Sequence, residues 1–140
     1  MRSIFILAIM FFLHVFADYH LQGILATLKQ RDKWPQTLPE NTFIWKNDYK
    51  AALAAHAFEW SFVVTLPCLA SIFHVCSDFS WPNIRIGTVY IAWLVLNAIL
   101  HYIIDDLKAN DKSINLITDQ LAHVVQVFIT WLLWTSWIGW

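Results

Sequence analysis

The chain has 140 residues, of which 59% are hydrophobic and only 14% are charged, and it contains three glycines. This composition excludes an ordinary soluble domain and is typical of an integral membrane protein. The net charge of −1 argues against a nucleic-acid partner, and two cysteines are too few for a disulfide framework or a thiolate metal cluster.

Four apolar stretches separate the charged segments. Each supplies the roughly 20 residues that a helix needs to cross a bilayer. The stretches run over residues 3–22, 49–75, 82–107 and 116–140. We therefore predict an all-α fold: a four-helix transmembrane bundle that forms a single integral membrane domain over residues 1–140, with an interfacial loop over residues 29–48.

Signals at the ends of these stretches support the boundaries. The first stretch imitates a secretion signal, because Val15-Phe16-Ala17 loosely fits a cleavage site, but cleavage there would remove His14 and we expect a retained span. Gly23 is suited to end the first helix in the left-handed conformation. The other helices have candidate caps at their N-terminal ends: Asn47 or Asp48, Ser80 before Trp81-Pro82, and Ser113 or Asn115.

The positions of lysine and arginine predict the orientation. Seven of the nine basic residues lie in or beside the first and third loops: Lys29, Arg31, Lys33, Lys46, Lys50, Lys108 and Lys112. The positive-inside rule places these loops in the cytoplasm and both termini outside it, although Arg2 before the first span argues the other way. The far end of the last span carries four tryptophans that fit an aromatic belt: Trp131, Trp134, Trp137 and Trp140.

Four pairs of metal-liganding residue types recur inside the apolar stretches, where ionisable side chains are costly and usually functional. The members of each pair are three or four residues apart and share a helix face. The pairs are His14/Asp18, His56/Glu59, His101/Asp105 and Asp119/His123. By helical rise, all eight side chains lie about 4–13 Å inside the cytoplasmic ends of their spans. We predict that they form one polar metal-binding core.

The types of ligand limit which metals the site could bind. Imidazoles mixed with carboxylates suit zinc, manganese or iron and argue against an oxygen cage for calcium or magnesium. Eight ligands exceed the needs of one tetrahedral zinc, so we predict two divalent ions, with zinc as the first candidate. The chain lacks the paired Glu-x-x-His motifs of di-iron bundles, which favours hydrolysis over oxygen activation.

Some of the predicted ligands and their neighbours are candidates for catalytic roles. Glu59, Asp105 or Asp106 could act as a general base, and Lys108 could hold negative charge on a substrate. A single buried histidine or aspartate is often a packing residue, but four pairs at matched depth favour a shared site. His20 and His74 lack such partners and are predicted to lie at the surface.

The order of these residues resembles a known family. His14-x3-Asp18 before Leu21-Gln22, then His56, His101-x3-Asp105-x2-Lys108 and Asp119-Gln120-x2-His123, look like domain-of-unknown-function family 3307 over nearly the whole chain. Its members are small bacterial and phage membrane proteins, similar to membrane-bound metal-dependent hydrolases. The resemblance implies a multi-pass protein of the bacterial inner membrane, or a phage product, with a hydrolase centre at all the predicted ligands except Glu59, which rests on spacing alone.

These observations lead to one function and two alternatives. The leading hypothesis is a metal-dependent hydrolase of a phosphoester or related bond in a lipid-linked substrate, because the site lies roughly 10 Å below the interface. The alternatives are a metal or proton carrier and a non-catalytic membrane protein with a structural metal site. Membrane lipids are the expected partners, and the sequence leaves open the substrate and a homo-oligomer.

Overall fold

Long apolar stretches interrupted by short polar segments produce long helices joined by turns. The computed structural model describes residues 2–33, 47–75 and 81–138, and within these ranges it contains helices and no strand. The α-helices are α1 (Arg2–Phe16), α2 (Leu25–Leu28), α3 (Asp48–Val75), α4 (Trp81–Ala109) and α5 (Leu116–Ile138). Four segments are long and apolar enough to cross a membrane. The predicted all-α, four-helix architecture is confirmed.

The helix ends agree with several of the predicted signals. A π-helical turn, Ala17–Leu21, extends α1, and Gly23 follows it with a φ of +48°, the left-handed conformation expected of a glycine cap. Asn115 caps α5, since its side-chain oxygen accepts a hydrogen bond from the Thr118 backbone N–H at 2.9 Å. The short helix α2 was not predicted. The proposed Ser80 cap, Cys76, Trp140 and most of the predicted loop lie outside the described residues.

The four long helices form a closed bundle in which α3 and α5 each pack against both α1 and α4. The end of α5 meets the beginning of α1, where Trp131 Nε1 donates to the Ser3 carbonyl at 2.7 Å. Large apolar side chains point outward along the helices, including Phe5, Phe12 and Ile99. Lipid tails are as apolar as these side chains, so an outward apolar surface is expected of a membrane bundle.

One half of the bundle interior is mainly apolar and closely packed. Met10, Val64, Cys68, Tyr90 and Trp134 are buried there. The other half, toward α2 and the turn between α4 and α5, buries histidine and aspartate instead. The helices therefore bring the charged and imidazole side chains together at one end, as their matched depths predicted.

Candidate metal centre

A cluster of buried histidine and aspartate side chains lies at this end of the bundle, and all four membrane-length segments contribute to it. Seven of the eight predicted ligands are buried: His14, Asp18, His56, His101, Asp105, Asp119 and His123. The eighth, Glu59, is half-buried. Burying so many ionisable groups in a membrane segment is costly, so the cluster is the first candidate for a functional site.

One group of ligand atoms comes from three segments. The Nε2 atoms of His56 on α3 and His101 on α4 are 3.2 Å apart. Asp18, in the π-helical turn, places its Oδ1 atom 3.8 Å from His56 Nε2 and 3.9 Å from His101 Nε2. All three side chains are buried, and their ligand atoms lie within 4.8 Å of one another.

A second group shares His101 with the first and adds Asp105 and His123. His123 Nε2, on α5, lies 3.4 Å from Asp105 Oδ1 and 3.5 Å from Asp119 Oδ1. The other oxygen of Asp105, Oδ2, lies 3.4 Å from His56 Nε2 and 3.7 Å from His101 Nε2. Asp105 therefore connects the two groups, with one carboxylate oxygen toward each.

These separations fit atoms that share an ion. Two nitrogen or oxygen ligands about 2.0–2.1 Å from a tetrahedral zinc lie roughly 3.3–3.4 Å from each other. Among the described residues, Asp18 Oδ1, Asp119 Oδ1 and His123 Nε2 have no hydrogen-bond partner. Buried polar atoms without partners are rare in proteins. The donor set and its spacing therefore show that these buried groups could hold a metal ion.

The π-helical turn, which the sequence did not predict, orients Asp18. The Gln22 side chain donates to the Asp18 backbone carbonyl, and Gln120 Nε2 donates to Asp18 Oδ2 at 3.0 Å. The second contact leaves Oδ1 directed at the imidazoles of His56 and His101. Single π-helical turns inside helices often occur at functional sites. Gln120 thus holds the Asp18 carboxylate in this orientation, as residues next to metal ligands commonly do.

Trp60 is a residue of the centre that the sequence analysis missed. Its indole N–H donates to His14 Nδ1 at 3.1 Å, and its ring stacks on the His101 ring with centroids 4.2 Å apart. The side chain is fully buried. Because Nδ1 of His14 accepts this hydrogen bond, only Nε2 of that imidazole is available to a metal. The sequence did contain one signal for Trp60: it is four residues after His56, so the two side chains share a helix face.

Two lysines pair with carboxylates of the centre. Lys108 Nζ lies 2.6 Å from Asp119 Oδ2, so its ammonium is directed into the cluster, and its predicted contact with substrate stays a prediction. Lys29 Nζ lies 2.5 Å from Asp105 Oδ2. Lys29 was predicted only as a positive charge of the first loop, but its side chain is buried. Local sequence gave no signal for a contact between residues so far apart along the chain.

The remaining predicted residues lie near the cluster or at the surface. Asp106 is half-buried and its Oδ1 accepts a hydrogen bond from Asn110 Nδ2 at 2.7 Å. Asp106 and three of the predicted ligands, His14, Glu59 and Asp119, lie outside the two groups of converging ligand atoms. Their roles as ligand or base stay predictions. His20 is exposed, as predicted, and the side chain of His74 lies outside the described part of the chain.

Two clefts adjoin the cluster or the helices that carry it. A cleft of about 290 Å³ is lined by Asp105 and by three lysines, Lys29, Lys108 and Lys112. An apolar cleft of about 400 Å³ lies between α4 and α5, and its wall includes Gln126. The first cleft can accept a charged group beside Asp105, and the second can accept a hydrocarbon chain.

No protein-family model, curated protein or solved structure matches the chain. The resemblance to domain-of-unknown-function family 3307 therefore stays a prediction. The features of the described residues that bear on function are the buried histidines and aspartates and the two clefts beside them.

Proposed function

We propose that this protein is a membrane-embedded metal-dependent hydrolase that cleaves a phosphoester or related bond in a lipid-linked substrate. One observation carries the proposal: buried ligand atoms converge from all four membrane-length segments next to a cleft lined by lysines. The converging residues are Asp18, His56, His101, Asp105 and His123. Two of the converging atoms, Asp18 Oδ1 and His123 Nε2, have no hydrogen-bond partner among the described residues, which a merely structural polar contact would not need.

The proposed centre holds two divalent ions, with zinc as the first candidate and manganese or iron as alternatives. Asp18, His56 and His101 would supply one position, and His123 and Asp119 would supply the other, together with His14, whose ring centroid lies 5.8 Å from that of His123. Asp105 would contribute to both positions, because its Oδ2 atom lies toward His56 and its Oδ1 atom toward His123. An ion bound here would supply Lewis acidity and lower the pKa of a coordinated water.

The chain's own residues supply the other parts of the mechanism. Lys108 and Lys29 reach the centre from the cleft and can hold negative charge on the substrate. Glu59 and Asp106 are the candidate general bases, because neither belongs to the converging ligand groups and both are half-buried. Trp60 and Gln120 position His14 and Asp18 through hydrogen bonds.

The apolar cleft between α4 and α5 supports the lipid part of the proposal. Its wall is made largely of aliphatic side chains, including Leu100, Ile104 and Ile129. It lies on the same two helices as His101 and His123, within segments of membrane-spanning length. A hydrocarbon chain in this cleft would enter from the bilayer, in the cytoplasmic membrane of a bacterium, and leave its polar end near the centre.

The proposal is tested by assaying the detergent-purified protein, loaded with zinc or manganese, on phosphatidic acid and on polyprenyl phosphates. We expect hydrolysis that Asp105→Asn abolishes, because this change removes charge from both proposed ion positions. Trp134→Phe, in the apolar half, is the matched control and retains activity. Metal-loaded protein that hydrolyses none of these substrates contradicts the proposal. Metal uptake into proteoliposomes that is lost in His101→Ala would favour a carrier instead.

A further inference from the structure

Two lysine ammonium groups form ion pairs with carboxylates that the proposed metal ions would also need. Lys29 Nζ lies 2.5 Å from Asp105 Oδ2, the oxygen that lies 3.4 Å from His56 Nε2. Lys108 Nζ lies 2.6 Å from Asp119 Oδ2, on the carboxylate that faces His123. A lysine and a divalent cation compete for the charge of the same carboxylate. A metal ion bound at this centre would therefore weaken both lysine contacts.

The cleft beside the centre gives the two lysines another partner. Their side chains and that of Lys112 line a cavity of about 290 Å³ in which Asp105 is the one acidic side chain among the lining residues. Each of the three ammonium groups pairs with a carboxylate, that of Asp105, Asp119 or Asp32, so the cleft gains unbalanced positive charge only when a cation takes over the carboxylates of the centre. Lysines that a metal releases from Asp105 and Asp119 would be left without counter-charges at this position. An oxyanion in the cleft would supply them.

The backbone around Lys29 is held in place while its side chain can change partners. Asn110, just after α4, donates from Nδ2 to the Lys29 carbonyl at 3.1 Å and accepts from the Arg31 backbone N–H at 2.7 Å. These contacts hold the segment after α2 against the end of α4. The flexible four-carbon stem of lysine allows the ammonium to move without movement of the backbone.

We propose that Lys29 and Lys108 exchange partners, from Asp105 and Asp119 to an oxyanion in the cleft, so that metal and oxyanion bind with positive cooperativity. This inference rests on the proposed function, because it assumes the metal centre. Linkage requires the effect to be reciprocal, so an oxyanion tightens metal binding as much as the metal tightens oxyanion binding. The oxyanion is a phosphate-like group, either on a lipid or free in solution.

The test compares manganese affinity of the full chain in detergent, in chloride and in sulfate at equal ionic strength. We expect sulfate to tighten metal binding roughly 5–150-fold, the usual range for coupled sites. The Lys29→Met/Lys108→Met double variant should bind manganese more tightly in chloride and lose the response to sulfate. Lys108→Gln, at the more exposed of the two lysines, should also bind manganese more tightly in chloride and respond less to sulfate. It replaces the double variant in the test if that variant fails to fold.

Lys112→Met is the matched control, because Lys112 lines the same cleft but pairs with the exposed Asp32 at 2.7 Å instead of a carboxylate of the centre. Its manganese affinity in chloride should equal that of the wild type. If Lys112→Met and Lys108→Gln tightened manganese binding in chloride equally, the exchange would be overturned, because the loss of any positive charge near the centre would then explain the effect. A full sulfate response in the double variant would also overturn it.

A second arm identifies the source of the oxyanion, using phosphatidic acid in mixed micelles against phosphatidylcholine micelles. Tightening by phosphatidic acid alone assigns the cleft to a lipid headgroup, and tightening by sulfate as well assigns it to any oxyanion. No tightening by either overturns the exchange while leaving the metal centre intact. Absence of bound manganese, zinc and iron under all conditions overturns the proposed function itself, so the two failures are distinguishable.

Discussion

The two ends of the bundle bury polar side chains in different ways. In the apolar half, Trp134 Nε1 donates to Ser71 Oγ at 3.0 Å, and the hydroxyl oxygens of Thr65 and Tyr90 are 3.2 Å apart. At the candidate centre, imidazole nitrogens and carboxylate oxygens face one another at 3.2–3.9 Å. Several of these atoms have no hydrogen-bond partner among the described residues.

This difference is the one expected between structural polar contacts and a set of metal ligands. A buried polar atom without a partner costs about 1–3 kcal/mol, so such atoms are few, and among the described residues they include only Ser61 Oγ and Gln126 Oε1 outside the predicted ligands. Trp134 and Ser71 pair with each other, whereas Asp18 Oδ1 and His123 Nε2 have no such partner among the described residues. The cost at the centre is explained if these atoms bind an ion, as we propose. Substitutions in the two halves should therefore separate stability from metal binding.

The largest expected effect on stability is that of Trp134→Ala. Truncating this fully buried side chain should lower the free energy of unfolding by about 3–5 kcal/mol, through lost packing and a cavity. The folded fraction should keep the metal content of the wild type, because Trp134 lies in the apolar half. Reversible unfolding in mixed detergent micelles and elemental analysis provide the two readings. Loss of metal from folded Trp134→Ala would show that the two halves are not independent.

Trp60→Phe should have a smaller effect, directed at the centre. Phenylalanine keeps an aromatic ring beside His101 but removes the N–H that donates to His14 Nδ1. If His14 is a metal ligand, as we propose, losing the hydrogen bond that orients it should weaken metal affinity by about 10–100-fold. Titration with zinc in the presence of a competing chelator measures this change. Trp134→Phe, which loses an indole N–H in the other half, should leave the affinity unchanged, and an equal loss in both variants would refute the assignment.

The smallest effect is expected at the surface ion pair between Asp32 and Lys112. The hydrogen bond from Lys112 lowers the pKa of the Asp32 carboxyl, so the pair stabilises the folded state at neutral pH. This contribution is lost as the pH falls through the lowered pKa. Asp32→Asn should be slightly less stable than the wild type at pH 7 and equal to it in strong acid, because exposed pairs contribute little. A difference that grows with acidification would contradict this sign.

Much of the fold could be predicted because the signals are local. Apolar length predicted all four long helices, and Gly23 and Asn115 mark helix ends that the structure shows. Most of the buried cluster was also predictable. Spacing placed each pair on one helix face, and matched depth placed the pairs at one level.

The missed features depend on contacts between distant parts of the chain. Lys29 reaches Asp105 only because the segment after α2 packs against the end of α4. Trp60 reaches His14 because of how α3 is rotated against α1, which spacing along one helix does not determine. The same rotation of α3 buries His56 and Trp60 and leaves Glu59 half-buried. The π-helical turn at Asp18 likewise had no signal in the residue pattern.

The most direct test of the central claim is elemental analysis of the detergent-purified protein, wild type against a His101→Ala/His123→Ala double variant. We predict about two zinc, manganese or iron atoms per chain in the wild type, as two carboxylate-bridged positions require, and loss of this metal in the folded variant. A wild-type protein that binds no metal, even after anaerobic reconstitution under reducing conditions, would contradict the account. The buried histidines and aspartates would then form a polar network, and the hydrolase proposal would fail.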